Sequence, residues 1–497
     1  MSFSKKIARF FTSIGVGIKD FFVNLPVDIA KGVVKCIKAI GRFFINFHKR
    51  FVDGSIGTKL SHFIIGGGNF YHKQYIKGAI YLVLQLGFLA LFILNPEINE
   101  TPIGFKALPN LITLGTHEGG FEIIDGVMVD MPYDNSLLML LFGVITLGLI
   151  AVYLVLFISG IKSSYKADLD VRAGKKPTTI KEDFRSLLDE RFHILMLTPT
   201  CLAALAFTIL PTLFTTLMAF TNYDFEHKAS LIDWNLGGWA SFFDGSSVIL
   251  SRFPSILGWT VIWAVVATFS NYFGGILLAL LINKKEIKFK KLWRTVFIFT
   301  IALPQFVSLL AVRKILAVSG PINSMLVNLG ILDKGMEFLD LAKNPNTARI
   351  AVLIINLWVG IPYTMLQTSG ILMNIPTDLY EAATIDGANK NQMFTNITLP
   401  YIIFVTTPYL ISSFIGNINS FNIIYLLTGG GPSVVGYEAS KSGATDLLVT
   451  WLYKLTIENY EYNAGAIIGI ITFLITSTLT LITYRRSKAY KEEDTFQ

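Results

Sequence analysis

Thirty-four carboxylates, six histidines and two cysteines are the groups in this 497-residue chain that could ligate a metal, move a proton or attack a substrate. Their spacing supports none of these. His48, His62, His72, His117, His193 and His227 are scattered without metal-ligand spacing. Cys36 and Cys201 lie far apart, so neither a disulfide framework nor a zinc site is expected. No G-x-x-x-x-G-K-[ST] phosphate loop, G-x-S-x-G or H-E-x-x-H occurs. One stretch does have a purposeful pattern: Leu379-Tyr380-Glu381-Ala382-Ala383-Thr384-Ile385-Asp386-Gly387-Ala388-Asn389. Pro376 precedes it, and Asp378 and Glu381 suit a helix N-terminus. The pattern predicts a short helix from about Thr377, a left-handed break at Gly387, and a second helix ended by Pro400. Such a rigid protrusion, with an acidic, small-residue face, suits docking into a basic groove of a partner.

The elements that must position this protrusion are membrane spans. The chain is 52% hydrophobic and 15% charged, with mean hydropathy +0.55. A soluble domain carries about 25% charged residues. Eight stretches are apolar enough to cross a bilayer, at about 77–95, 136–160, 193–221, 257–283, 293–317, 349–373, 400–427 and 462–484. The expected fold class is therefore an all-α polytopic membrane protein. Loop 161–192 holds eight Lys/Arg, and Lys284, Lys285, Lys288, Lys290 and Lys291 crowd loop 284–292. The alternating loops 96–135, 222–256, 318–348 and 428–461 hold seven Lys/Arg against eighteen Asp/Glu. The positive-inside rule then puts both termini in the cytoplasm. Loop 374–399 fits this least well, with Lys390 its one basic residue.

The net charge of +8 resides in residues 1–60, with eleven Lys/Arg and three Asp/Glu; the rest is neutral. This excludes a uniformly basic nucleic-acid binder. The leader has no continuous apolar core and so is not a cleavable signal. It reads as amphipathic pieces broken at Pro26, with Phe10, Phe11, Phe21, Phe22, Phe43, Phe44 and Phe47 among Lys and Arg, lying against anionic membrane lipid. Every carboxylate falls outside the spans, which argues against a proton-coupled carrier. Without a phosphate loop, a pump of this kind needs another subunit to supply energy.

The run E-A-A-x-x-D-G-A from Glu381, then Phe394 and Ile397-Thr398-Leu399-Pro400, resembles the coupling loop of ABC importer permeases. The resemblance continues upstream in Asn356-Leu357-Trp358-Val359-Gly360-Ile361-Pro362-Tyr363. Downstream it covers Ser412 to Asn422 and Leu427-Thr428-Gly429-Gly430-Gly431-Pro432. These stretches are most similar to the carbohydrate branch and its MalF-type subunits, over about residues 193–486. The resemblance implies a type I ABC importer permease fold in the bacterial cytoplasmic membrane. It divides the chain into the leader 1–60, two spans with external loop 96–135 over 61–160, a core permease domain over 193–486 with the coupling loop at 376–400, and a tail at 487–497.

By that resemblance, Glu381, Ala382, Ala383, Asp386 and Gly387 engage an ABC ATPase dimer, which binds the ATP and magnesium; this chain itself holds no cofactor and catalyses no covalent step. Asn356, Gly360 and Tyr363 on one helix, and Ser413, Gly416, Asn417 and Ser420 on the next, would meet an oligosaccharide delivered by an extracellular sugar-binding protein. Neutral hydrogen-bonding groups and an aromatic face suit a sugar. The maltose pattern has an aromatic in place of Gly416 and Asn in place of Ser420, which implies a roomier site. A second, homologous permease of the MalG type would line the other half of the pathway. A permease for a non-sugar solute and a membrane enzyme of polysaccharide assembly are the alternatives.

Overall fold

The computed structural model describes residues 30–115, 120–124, 127–131, 135–227, 232–284, 286–339, 345–433 and 440–486. The early leader, with Phe10, Phe11, Phe21, Phe22 and Pro26, and the tail beyond 486 lie outside them. The chain divides into two compact units that meet in sequence at Gly237 and Gly238.

The first unit begins with helix α1 (30–53), then α2 (Ile56–Leu60), α3 (Gly67–Tyr71) and α4 (Tyr75–Leu94). A two-residue ladder pairs β1 (Glu97–Ile98) with β2 (Thr101–Pro102), α5 (Ala107–Ile112) follows, and β3 (Gly120–Ile124) pairs antiparallel with β4 (Val127–Met131). Helix α6 (Ser136–Arg172) is 37 residues long, or about 55 Å, well beyond a bilayer core. Asn135 caps it by accepting the Leu138 N–H at 3.1 Å. Its glycines allow close approach: a Cβ at Gly143 would strike Leu111, at Gly148 Leu210 and at Gly160 Ile65. A Thr179–Glu182 capping box opens α7 (Ile180–Leu188), and Lys77 reaches Asp183 at 2.6 Å, tying α4 to α7. Helices α8 (Phe192–Ala204) and α9 (Leu210–Met218) join through a π turn at Leu205–Ile209.

The second unit comprises α10 (Gly237–Asp244, from Gly238 on), α11 (Phe253–Asn283), α12 (Lys290–Ala302), α13 (Gln305–Ile315), α14 (Pro321–Asn328), α15 (Pro345–Met373), α16 (Thr377–Ile385), α17 (Lys390–Met393), α18 (Leu399–Ile418), α19 (Phe421–Thr428), α20 (Leu448–Tyr453) and α21 (Tyr462–Arg486). Helix α11 is its axis. Trp259, Trp263 and Ala267 bury against Val352 and Ile355 of α15, Leu309 of α13 and Ile424 of α19. One turn further along, Tyr272 and Ile276 pack on Ile402 of α18, and the Tyr272 and Thr406 hydroxyls lie 2.7 Å apart.

Among the described residues, seven helical segments are long and apolar enough to cross a membrane: 75–94, 136–172, 192–218, 250–283, 345–373, 390–428 and 462–482. The expected span at 293–317, which contains Pro304, is the pair α12 and α13, bent by 94°. Leu303 is extended (ψ 136°), because the ring of Pro304 excludes the helical region for the residue before it. An eighth crossing exists only if this pair counts as one span.

Two other prolines act differently. Pro400 does not end the helix after Gly387. α17 runs through a π turn at Phe394–Thr398 into α18, with Pro400 in its first turn. The wider π turn absorbs the missing N–H and the clash of the ring with the carbonyl four residues back. Pro211 follows its π turn in the same way.

Candidate functional site

Asn356, Gly360 and Tyr363 fall at i, i+4 and i+7 of α15, so they share one face. Ser413, Gly416 and Asn417 do the same on α18. Ser420 does not continue that helix. α18 stops at Ile418, and Ser420 is the N-cap residue of α19, with no capping bond from its side chain. The expected span over 400–427 lies within the single apolar segment 390–428, interrupted for two residues beside the site.

The two faces meet through aromatic rings. Tyr363, 46% exposed, lies with its ring 5.6 Å from that of Tyr409, at 36°. The Tyr409 hydroxyl is 3.2 Å from the hydroxyl of Thr364. Tyr409 is four residues before Ser413 and extends the same α18 face; it was not among the residues the motifs singled out.

Helix α11 packs directly against both faces. Asn417 donates through Nδ2 to the Thr268 hydroxyl at 2.9 Å, keeping its carbonyl oxygen as an acceptor. A Cβ at Gly360 would overlap the amide of Asn271. Thr268 and Asn271 are three residues apart, so α11 presents one polar strip to α15 and α18. An asparagine within an otherwise apolar span was the available signal for Asn271. Two amide groups in this region have no hydrogen-bond partner among the described residues: Nδ2 of Asn356, which is 3% exposed, and Oδ1 of Asn271. Ser413 is half-buried. Gly416 faces open space, with nothing within 4 Å of a would-be Cβ. The faces carry no ionisable group apart from the two tyrosines. The break between α18 and α19 lies close to the Pro304 bend, since Asn422 Nδ2 donates to Gln305 Oε1 at 3.3 Å. Discontinuous helices of this sort are a recurrent feature of solute sites in transporters.

Beyond the site, α15 leads into the protrusion. α16 starts at Thr377 as expected and ends in a Schellman motif. Gly387 sits at φ +76°; its N–H reaches Thr384 O at 3.1 Å, and the Ala388 N–H reaches Ala383 O at 2.9 Å. Asn389 then caps α17 through a reciprocal bond with Gln392. Tyr380 anchors the protrusion to α18 by a 2.8 Å hydroxyl contact with Thr398. Glu381, Ala382, Asp386 and Gly387 are exposed, Ala383 is half-buried, and Ile385 stands 87% exposed at the tip.

At the other end of the bundle, the glycine run Gly429-Gly430-Gly431 forms a loop. Gly429 and Gly430 have positive φ, and Gly430 lies against the buried carboxylate of Asp446. That carboxylate accepts from Lys454 Nζ at 2.8 Å, the Gly443 N–H at 2.7 Å and the Thr450 hydroxyl at 2.9 Å. Trp259 donates to Thr445 O at 3.1 Å, so the loop is fastened directly to α11. Among the described residues no cluster of His, Cys, Asp and Glu could hold a metal ion, and both cysteines are free.

Comparison with known proteins agrees with this architecture. Residues 271–488 match the family described as binding-protein-dependent transport system inner membrane component. The galactooligosaccharides transport system permease protein GanP of Bacillus subtilis (strain 168) is 34% identical over 437 residues, covering 86% of this chain and 97% of GanP. The maltodextrin transport system permease protein MalC of Streptococcus pneumoniae serotype 4 is 35% identical over 442 residues, covering 87% of this chain and 95% of MalC. A solved bacterial ABC transporter involved in the import of the acidic polysaccharide alginate shares the fold, with TM-score 0.50 and 22% identity over 62% of this chain and 98% of that one. The chain belongs to the family of binding-protein-dependent transport system inner membrane components.

Proposed function

We propose that this chain is the permease subunit of an ATP-driven oligosaccharide importer, and that the α15 and α18 faces form its half of the sugar pathway. The observation that carries this reading is the meeting of two uncharged faces at Tyr363 and Tyr409, lined by Asn356, Ser413 and Asn417, in a chain related to galactooligosaccharide and maltodextrin permeases. A sugar presents hydroxyls that donate and accept, and C–H faces that pack on rings; amides and tyrosines answer both. Gly416 leaves room where a side chain would narrow the wall.

In this reading a sugar-binding protein delivers the solute outside, and a second homologous permease completes the pathway. Two ATPase subunits bind ATP and magnesium and close on the α16 protrusion. Glu381 and Asp386 supply its negative charge, Ala382 and Ala383 let it seat closely, and Gly387 sets its angle. α16 is joined to α15 by three residues and, through α17, to α18, so motion of the protrusion is passed to both pathway faces.

The test is uptake by the assembled importer in proteoliposomes. Tyr363→Ala should lower oligosaccharide uptake at sub-saturating solute by about tenfold, the effect of roughly 1.4 kcal/mol of lost binding, with subunit assembly intact. Unchanged uptake kinetics would remove Tyr363 from the pathway.

A further inference from the structure

Helix α1 carries two opposed stripes. Val33, Ile37, Ile40, Phe44, Phe47 and Phe51 recur at helical spacing on one face, and Lys31, Lys35, Lys38, Arg42 and Lys49 on the other. The apolar stripe is largely uncovered: Ile37 is 62% and Phe44 63% exposed. A Cβ at Gly32 or Gly41 would find nothing within 4 Å. The far end is held firmly. Phe47 lies 6.4 Å from Phe157 of α6 and 4.8 Å from His62, which Phe51 also meets edge-on. Asp168, near the end of α6, is buried; it accepts the Ser55 N–H at 2.8 Å and Arg172 Nη2 at 2.9 Å. Arg172 also donates to Asp53 O at 2.6 Å.

Phe157 fixes the depth at which this happens. It lies 21 residues into α6, about 32 Å along the helix, which matches the thickness of a bilayer core. The next charged residue of α6 is Lys162. α1 is therefore attached at the level where acyl chains give way to headgroups, with one apolar and one cationic face.

We propose that α1 lies on the leaflet at the C-terminal end of α6, its Val33–Phe44 stripe in the acyl boundary and its Lys31–Arg42 stripe against the phosphates of anionic phospholipid. Charge complementarity selects the lipid. A basic residue near an anionic surface favours binding by roughly fivefold, and four of the five on this stripe fall between Lys31 and Arg42. A zwitterionic surface would leave that stripe without a counter-charge. The assignment does not depend on which solute is transported.

The native cysteines supply the probe. Cys201→Ser leaves Cys36, between Val33 and Ile40 at the edge of the apolar stripe, as the sole thiol. A fluorophore on Cys36 of the full chain, assembled with its partner subunits in nanodiscs, is challenged with nitroxide-labelled lipid and with aqueous iodide. In discs containing phosphatidylglycerol, strong quenching by the lipid nitroxide and weak quenching by iodide are expected. In the same discs Lys31→Gln/Lys35→Gln/Lys38→Gln/Arg42→Gln should reduce the lipid quenching several-fold. The proposal is overturned by iodide access equal to that of a free thiol, by shielding from both quenchers, which would mean that protein covers the helix, or by equal lipid quenching in the parent and the quadruple variant. The parent measurement stands alone if the variant assembles poorly.

Discussion

Asn417 and Gly360 meet α11 one turn apart, at Thr268 and Asn271, and this ties the candidate pathway residues to the interior of the bundle. A buried amide with an unmade bond costs about 1–3 kcal/mol, and Asn356 and Asn271 each hold one such group. A polyol carries groups of both kinds that can satisfy them. The Gly360 contact makes this testable. Gly360→Ala would push a methyl into the Asn271 amide, and overpacking of this sort costs about 1–3 kcal/mol. We expect a lower Tm and reduced oligosaccharide uptake, and we expect Gly360→Ala/Asn271→Ala to regain much of the lost Tm by clearing the space. A double variant no more stable than the single would show that Asn271 is not the obstacle. The family resemblance singles out Asn356, Gly360 and Tyr363, and their spacing places them on one helix face. Tyr409 and Thr268 carry no such mark, because their roles depend on which helices lie opposite, and Asn271 stands out only as an asparagine in an apolar span.

Among the elements, the protrusion at 377–398 was the most legible, and its local chemistry explains why. Pro376, Asp378 and Gly387 each have one strongly preferred position around a short helix. Proline in longer helices is less informative. Pro304 forces a 94° bend, whereas Pro211 and Pro400 sit behind π turns in helices that continue, and Pro362 lies inside α15. The residue type is the same each time; packing around the preceding turn decides the result. Gly387 offers a direct test of the element. Its would-be Cβ meets nothing within 4 Å, so any effect of substitution comes from its φ of +76°, not from crowding. For a residue with a Cβ this conformation costs about 1–2 kcal/mol, less for Asn. Sugar-stimulated ATPase activity of the assembled importer should fall in the order Gly387, Gly387→Asn, Gly387→Ala, Gly387→Val, while the Tm of the membrane bundle falls only slightly, because the exposed loop can relieve the strain locally. Wild-type activity in Gly387→Val would show that the angle between α16 and α17 does not matter for docking.

For the molecule as a whole, the side on which α16 lies turns on the bent pair α12 and α13. The positive-inside rule sorts most loops: it assigns 161–192, with eight Lys/Arg, to one side and the acid-rich 222–256 to the other. It does not assign the segment around α16, where Lys390 is the one basic residue. If α12 and α13 together cross the membrane, α16 lies on the same side as residues 161–192, where an ATPase can reach it. If the pair enters and leaves on one side, α16 lies opposite and cannot dock. Single cysteines separate these cases on a Cys36→Ser/Cys201→Ser background. Ser246→Cys should react with a membrane-impermeant maleimide on intact cells. Lys181→Cys and Asn391→Cys should react only after the membrane is permeabilised. Reaction of Asn391→Cys from outside, with Lys181→Cys still protected, would make the pair re-entrant and exclude the ATPase from α16. Each arm of the pair is too short to span a bilayer alone: α12 has 13 residues and α13 has 11, or about 20 and 17 Å. Two such arms set obliquely can cross a core of about 30 Å between them. Five lysines lie just before and at the start of α12, whereas from Arg313 to Asp340 three basic and three acidic residues balance, so the excess of positive charge lies at the α12 end and we expect the pair to cross.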